Sequence, residues 1–211
     1  MAEGIVWLGH ASFRLTLDGK VIYIDPWKVK RPAPADLVLI THTHFDHFAP
    51  DEIRQLCKDS TEIVGPYDCL PKLRGIVQRR QDSIRAVGPG DSFVVHDLRI
   101  RAFPAYNLNK DFHPKNKKWV GYLIEAGGRR VYHAGDTDAI HEIRTAQCDV
   151  ALLPVSGVYV MSAEEAAELA QVIQPSLAIP MHWGDIVGTR ADAERFKSLY
   201  KGQTEILEKE F

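Results

Sequence analysis

The segment Thr41-His42-Thr43-His44-Phe45-Asp46-His47 puts three histidines and an aspartate within six residues, in a 211-residue chain with nine histidines in all. Neutral imidazole nitrogens beside a carboxylate suit zinc, iron or manganese. The cluster follows Leu37-Val38-Leu39-Ile40, a short apolar run that reads as a strand buried on both faces. Residues two apart on an extended chain project to the same side. His42 and His44 can therefore converge on one ion at the strand's end. Asp46 and His47 come where the chain turns toward a helix and can face a second point close by.

Two later segments have the same form. Tyr132-His133-Ala134-Gly135-Asp136-Thr137-Asp138 ends a strand at a glycine and then presents Asp136, whose carboxylate can serve two ions at once. Ile179-Pro180-Met181-His182-Trp183-Gly184 places His182 just past another apolar stretch. Alone, a turn explains the first and a packed or surface histidine the second. Together with the histidine cluster, each just past a predicted strand, they make one site at one edge of the sheets.

The elements that must position these residues are legible from periodicity. Ser12 to Leu17 alternates, Asp18-Gly19 makes a tight turn and Val21 to Asp25 returns, a strong hairpin signal. Pro50 to Cys57 reads as a helix with Ile53 and Leu56 on its apolar face. Ser92 to Val95 with Leu98 to Ala102, and Val120 to Glu125 with Arg130 to His133, read as two more hairpins. Val150 to Pro154 is an apolar strand, and Ser162 with Glu165 forms a capping box opening a helix to Ile173. Leu177 to Ile179 is a short strand, and Thr189 caps a last helix through Tyr200. This order predicts an α/β sandwich with sheets inside and helices outside. Both halves begin with hairpins and reach a βα region, a hint of two similar halves.

In order and spacing, His42-x-His44-x-Asp46-His47, then Gly135-Asp136-Thr137, then His182 resemble the motif series of the metallo-β-lactamase superfamily. The opening Trp7-Leu8-Gly9-His10-Ala11-Ser12-Phe13, with Asp25-Pro26 after it, is similar to the branch containing ascorbate-6-phosphate lactonase and N-acylphosphatidylethanolamine phospholipase D. It resembles more closely a group of small bacterial and archaeal proteins labelled only as metal-dependent hydrolases. The resemblance runs from Ile5 to Gly184. It implies a four-layer αββα sandwich, here one domain over 1–211, with two divalent metal ions at the edge between the sheets. Zinc is the foremost candidate, and the same ligands accept manganese, iron or nickel. By the same match His42 and His44 hold one ion, Asp46, His47 and His182 the other, with Asp136 between them.

There is one departure from the motif series. The superfamily supplies a third histidine to the first ion after a strand equivalent to Ile100 to Phe103, where this chain has Pro104-Ala105-Tyr106-Asn107. The next histidine is His113. Either the loop folds back to bring His113 in, or Asn107 or water fills the position, and the first ion could be lost. His133, three residues before Asp136, is placed for a supporting hydrogen bond or packing. His10 is placed for a supporting or proton-transfer role. His96 and His141 read as surface.

The chain is 45% hydrophobic and 26% charged, with a formal net charge of −2, so nothing global points to nucleic acid or an anionic membrane. Basic patches occur at Lys28-Val29-Lys30-Arg31, Arg79-Arg80 and Lys115-Asn116-Lys117-Lys118. They read as solvated surface, with the sharper reading that the last attracts an anionic substrate. Three scattered cysteines form neither a disulfide framework nor a metal site. No signal peptide and no membrane span is visible, and a cytoplasmic protein is expected. A homo-oligomer is left open.

The chemistry expected is hydrolysis by metal-activated hydroxide attacking carbon or phosphorus. Asp46 would orient the nucleophile, and His113, His10 or Lys110 would protonate the leaving group. Tyr106, Asn107, Tyr159 and Trp183 are candidates to line the pocket. The first expectation is a small ester or lactone. The alternative is a small-molecule or lipid head-group phosphodiester, for which Lys110, Lys115, Lys117 and Lys118 are the only local anchors. A non-hydrolytic metal or redox protein on the same fold would need a flavin or dioxygen partner.

Overall fold

The computed structural model describes residues 2–76 and 83–210, so the Arg79-Arg80 patch lies outside the described residues. The first half builds a six-stranded sheet from β1 (Ile5–Gly9), β2 (Ser12–Leu17), β3 (Lys20–Ile24), β4 (Ala35–Leu39), β5 (Cys57–Pro66) and β6 (Ile84–Val87), in that spatial order. Two helices, α1 (Pro50–Leu56) and α2 (Leu70–Ile76), belong to this half. The second sheet has the order β12-β11-β10-β9-β8-β7, from β7 (Ser92–Val95), β8 (Leu98–Pro104), β9 (Val120–Ala126), β10 (Arg129–His133), β11 (Val150–Pro154) and β12 (Leu177–Met181). The remaining helices are α3 (Ala163–Ile173) and α4 (Arg190–Leu199). Among the described residues, no helix is long and apolar enough to cross a membrane.

The layering follows from which side chains alternate strand faces bury. On β4, Leu37 and Leu39 enter the large cluster shared with Tyr122, Ile124 and Val131 of the second sheet. Val38, from the opposite face, and Ile40 just beyond the strand pack with Ile53 and Leu56 of α1 and Leu73 of α2. The apolar run is thus buried on both faces, as its composition predicts. Each such aliphatic side chain contributes roughly 1.5–3 kcal/mol. On the other side, Ala166, Leu169, Ala170 and Ile173 of α3 and Phe196 of α4 cover β11 and β12. The predicted capping box opens α3: Glu165 N donates to Ser162 Oγ at 3.2 Å, and Ser162 N to Glu165 Oε2 at 2.8 Å. The result is a helix–sheet–sheet–helix sandwich.

Strand β5 carries no clear periodicity, because its first residues, from Lys58 to Ser60, are exposed and only Ile63 to Pro66 are continuously buried. Strand direction matters more for the site. β1 and β3 both run antiparallel to β2, and β4 runs parallel to β3, so β1, β3 and β4 end at one edge. β8 and β10 both run antiparallel to β9, and β11 and β12 run parallel to β10, so these four also end together. The two edges meet: His182 N donates to His10 O at 2.8 Å, and Val120 N to Thr41 O at 3.2 Å.

Candidate metal centre

The clustered side chains all follow strands that end at this shared edge. His10 follows β1, the His42-to-His47 segment follows β4, His113 lies in the loop after β8, Asp136 follows β10 and His182 follows β12. Turning a side chain inward at a strand end takes unusual backbone. His10 and His182 hold φ values of 52° and 62°, a region costly for non-glycine residues. Gly135 (φ 67°) lets the chain turn before Asp136, where a Cβ would sit 2.9 Å from Val120 O.

Three groups of donor atoms form among the described residues, one of them, Asp25 with His42 and His47, behind the cavity and not lining it. His42, His44 and His113 offer nitrogens within 4.8 Å of one another, and so do His10, Asp46, His47 and His182 with their nitrogens and carboxylate oxygen. Asp136 stands between these last two groups. Its Oδ2 lies 3.2 Å from His113 Nε2 and 3.8 Å from His42 Nε2 on one side. On the other it lies 3.0 Å from His182 Nε2 and 3.4 Å from His47 Nε2. His47 Nε2, His113 Nε2, Asp136 Oδ1 and both ring nitrogens of His10 are buried with no aligned hydrogen-bond partner. Leaving such atoms unsatisfied costs about 1–3 kcal/mol each. Nitrogens and carboxylates of these two groups and Asp136 converging on shared points, with hydrogen bonds between them only at His182 Nε2 to Asp136 Oδ2 and His42 Nε2 to His44 Nδ1, both 3.0 Å, among the described residues, fit divalent cations.

The far ring nitrogens fix the rings. His47 Nδ1 meets Asp25 Oδ2 at 2.7 Å and His113 Nδ1 meets Asn107 Oδ1 at 2.9 Å, both acceptors, so the proton sits on Nδ1 and the Nε2 lone pair faces inward. Thr41 Oγ1 spends its proton on Asp25 Oδ2 at 2.6 Å and therefore accepts from His42 Nδ1 at 2.9 Å. Ser156 Oγ holds His182 Nδ1 at 3.0 Å. Such partners set ring orientation and ligand basicity. The roles of Asp25, Thr41 and Ser156 escape motif reasoning, although Asp25 sits in the noted Asp25-Pro26 pair.

The loop that departs from the motif series brings His113 toward the cluster. His113 is buried in the donor group with His42 and His44, while the Asn107 side chain is committed to hydrogen bonds. Asn107 Oδ1 also accepts from His113 N at 3.0 Å, and its Nδ2 donates to Asp138 Oδ1 at 3.1 Å and Tyr159 O at 2.9 Å. The loop folds back around that amide. His133 stands apart: its Nε2 meets Ala11 O at 2.9 Å and its Nδ1 accepts from Gly135 N at 3.1 Å. His96 is half-buried in the β7–β8 turn rather than on the surface.

Burial pushes His42 far below the ordinary imidazole value, with His47 acting the same way. Burial and the neighbouring His113 lower His44. Burial also lowers His10, partly offset by Asp46. Burial opposes charge on His47, but Asp136 and Asp25 outweigh it and hold that ring well above its usual range. A divalent ion and a proton therefore compete for His47 Nε2. Burial opposes charge on Asp136 too, yet His182 and His47 keep it well below the carboxylate range. Asp46 is lowered, its burial outweighed by His10.

The cavity over the cluster measures about 250 Å³ and is lined by His44, Asp46, His113, Asp136 and His182 with Phe45, Phe112, Tyr159 and Ile186. No lysine or arginine is among these residues. Lys110 pairs with Asp138 at 2.5 Å, and Lys115 with Glu142 at 3.0 Å. Of the Lys115-to-Lys118 patch, none lines this cavity, and Lys115 is paired with Glu142 in an exposed ion pair. Lys110 is likewise not among the residues lining the cavity, and its ammonium sits on the buried Asp138 carboxylate. Of the candidate lining residues only Tyr159 lines this cavity. Trp183 packs on Trp7 with ring centroids 4.5 Å apart, and Tyr106 lines a separate groove of about 660 Å³ with Lys115, Trp119 and Glu142.

A family model described as a Beta-lactamase superfamily domain matches residues 4–182. A UPF0173 protein of Pyrococcus furiosus is 35% identical over 199 residues, covering 92% of this chain and 88% of the relative. A UPF0173 metal-dependent hydrolase of Methanopyrus kandleri is 31% identical over 210 residues, covering 92% and 89%. Among solved structures, a protein from Parabacteroides distasonis named as a metal-dependent hydrolase superposes with a TM-score of 0.84 at 31% identity, covering 98% of this chain and 93% of that one.

Proposed function

Because this chain belongs to the β-lactamase superfamily and is a metal-dependent hydrolase, we propose that it cleaves a small neutral ester or lactone at a two-metal centre. The observation that carries the proposal is the cavity itself. Two donor groups flank Asp136 beneath an opening with no lysine or arginine among the described residues that line it. Two ions alone can clamp a phosphodiester, so the preference for a carbon centre rests on the apolar lining, with Lys110 paired to Asp138 and Lys115 to Glu142.

In this reading His42, His44 and His113 hold one ion, and Asp46, His47 and His182 the other, with Asp136 shared. Zinc suits this nitrogen-rich set. Two ions bound there would supply Lewis acidity, lowering the pKa of water and polarising a substrate oxygen. The chain's own residues do the rest. Asp46 lines the cavity and its lowered pKa keeps it anionic, so it can accept a hydrogen bond from attacking water and aim it. His10 Nε2 lies 3.1 Å from Asp46 Oδ2, placed to take up a proton passed through that carboxylate. His113 has its Nδ1 committed to Asn107 and its Nε2 turned into the cluster, so we assign it to the metal and not to leaving-group protonation. Both sheets feed one continuous core, which supports a single domain over 1–211.

The test is metal content by mass spectrometry, together with turnover of phenyl acetates, γ-lactones and bis-aryl phosphodiesters. Two ions per chain with chelator-sensitive ester or lactone cleavage is expected. Turnover confined to phosphodiesters would overturn the carbon-centre reading. Absence of metal after reconstitution would overturn the mechanism.

A further inference from the structure

Large apolar side chains left in water are unevenly distributed in this molecule. Phe45, Leu108, Phe112, Val158 and Ile186 all sit on loops at the metal edge, and three of them line the metal cavity directly. Their exposure is high: 70% for Phe45, 50% for Phe112 and 41% for Ile186. The three come from separate loops, after β4, β8 and β12. Independent loops have no shared folding reason to present apolar groups at one mouth, and contiguous exposed apolar surface marks a binding site. The rim is also ordered by its own contacts. Phe112 packs edge-on against Tyr159 with centroids 4.4 Å apart, and Phe45 against Trp27 at 6.2 Å. The cationic side chains that could turn this mouth toward an anion are turned elsewhere: Lys110 to Asp138, and Lys28 over the Trp27 ring and toward Asp185.

We propose that this rim is a substrate subsite that grips an apolar acyl or aryl group, so the substrate is an amphiphilic ester or lactone with its scissile carbonyl over the histidine cluster and its hydrocarbon part against Phe45, Phe112, Tyr159 and Ile186. The proposal rests on the ester-or-lactone reading of the same site. A cavity of about 250 Å³ is below the size of drug-binding pockets, which favours a short or medium chain. Burying a methylene there gains affinity, whereas an unlined mouth would be indifferent to chain length.

The experiment measures binding apart from turnover. Aceto-, butano- and hexanohydroxamic acids are titrated into the metal-loaded protein by calorimetry, and p-nitrophenyl acetate, butyrate and hexanoate are assayed in parallel. Affinity should rise roughly threefold per methylene, and kcat/KM should follow it mainly through KM. Phe112→Ser with Ile186→Ser should flatten that slope to below about 1.5-fold per methylene. Val172→Ser, an equally exposed apolar residue on α3 away from the cavity, should leave the slope as it is. A flat hydroxamate series in the unaltered protein overturns the subsite while leaving ester hydrolysis standing. A steep series with no ester or lactone turnover supports the apolar rim and overturns the hydrolytic reading beneath it. A slope that survives the double substitution overturns the assignment to these residues.

Discussion

The two halves of the molecule supply the proposed metal centre in different ways. The first half delivers His42, His44, Asp46 and His47 from a single loop between β4 and α1. The second delivers His113, Asp136 and His182 from three loops after three strands. Both depend on strands that run the same way and stop at the same edge. The first group is a cassette whose spacing is fixed by six consecutive residues. The second exists only when β8, β10 and β12 are correctly paired and their loops are clamped, as Asn107, Gly135 and Ser156 do. The cassette should therefore bind metal weakly on its own, and the distributed residues should decide whether the centre is complete.

Asp136→Asn breaks this comparison most severely. An amide keeps the shape but loses the charge that faces four imidazoles. Metal affinity should fall well beyond the 10–100-fold that a supporting residue costs, and turnover with it. Mass spectrometry after gel filtration is the check. If the variant keeps two ions, Asp136 is not shared between them. His44→Ala tests the cassette from the other side and should cost one ion while the second group, His47 with His182, retains its own.

The supporting residues come next. Asp25→Ala in the first half and Asn107→Ala in the second each remove the acceptor that orients a ring, His47 and His113 respectively. Each should weaken metal binding about 10–100-fold without removing a residue assigned to the ions. Both also hold backbone, Asn107 that of His113 and Asp25 that of Thr41, but Asp25 in addition takes the Thr41 hydroxyl that holds His42 Nδ1, so its loss should do more damage. A competitive zinc titration against a chromophoric chelator ranks the two. Equal losses would mean that both halves depend on their surroundings to the same degree.

That contrast also explains how much could be read in advance. A cassette within six residues is visible in one dimension, and the apolar run before it makes it a strand-end motif. The hairpins and the strand at Val150 to Pro154 were legible because turn chemistry and alternation are local. His113 was not assignable from spacing, since what brings it in is a buried amide bridging residues far apart in sequence. Strand β5 hid behind a polar, exposed start. The partners of Lys110 and Lys115 were not legible, because charge is visible in a sequence while Asp138 and Glu142 are supplied by a distant loop.

Acid sensitivity of the chelated protein sharpens the same contrast. His10, His42 and His44 in the first half and His133 in the second have folded pKa values below the ordinary 6.5. The unfolded chain thus binds more protons than the folded one as pH drops through that value, and the stability these rings contribute above it is lost. Asp46 and Asp136, lowered from 3.8, add a further loss at more acid pH. His47 runs the other way: raised in the fold, its contribution is full below 6.5 and lost as pH rises through its folded value. Tm of the metal-free protein should fall from pH 7 to pH 5, and His42→Gln should shallow that limb more than His133→Gln. An acid limb unchanged by His42→Gln would place the titrating groups elsewhere.

The smallest effect expected is at Ser162. Removing its cap in Ser162→Ala should cost about 1 kcal/mol and lower Tm by about 2–4 °C in a domain of this size. The site gives this variant its interest. Ser162 ends the loop that begins at Ser156, bridges back to it, and so anchors the hydroxyl that holds His182 Nδ1. If the second half of the centre depends on its loops, Ser162→Ala should weaken metal binding measurably, by a fewfold, at a temperature where the protein is fully folded. The matching change in the first half, Asp51→Ala at the start of α1, removes an exposed carboxylate paired only with Arg54 and should leave metal affinity untouched. Equal responses would mean that His182 is held by its strand alone and that loop order adds nothing to the centre.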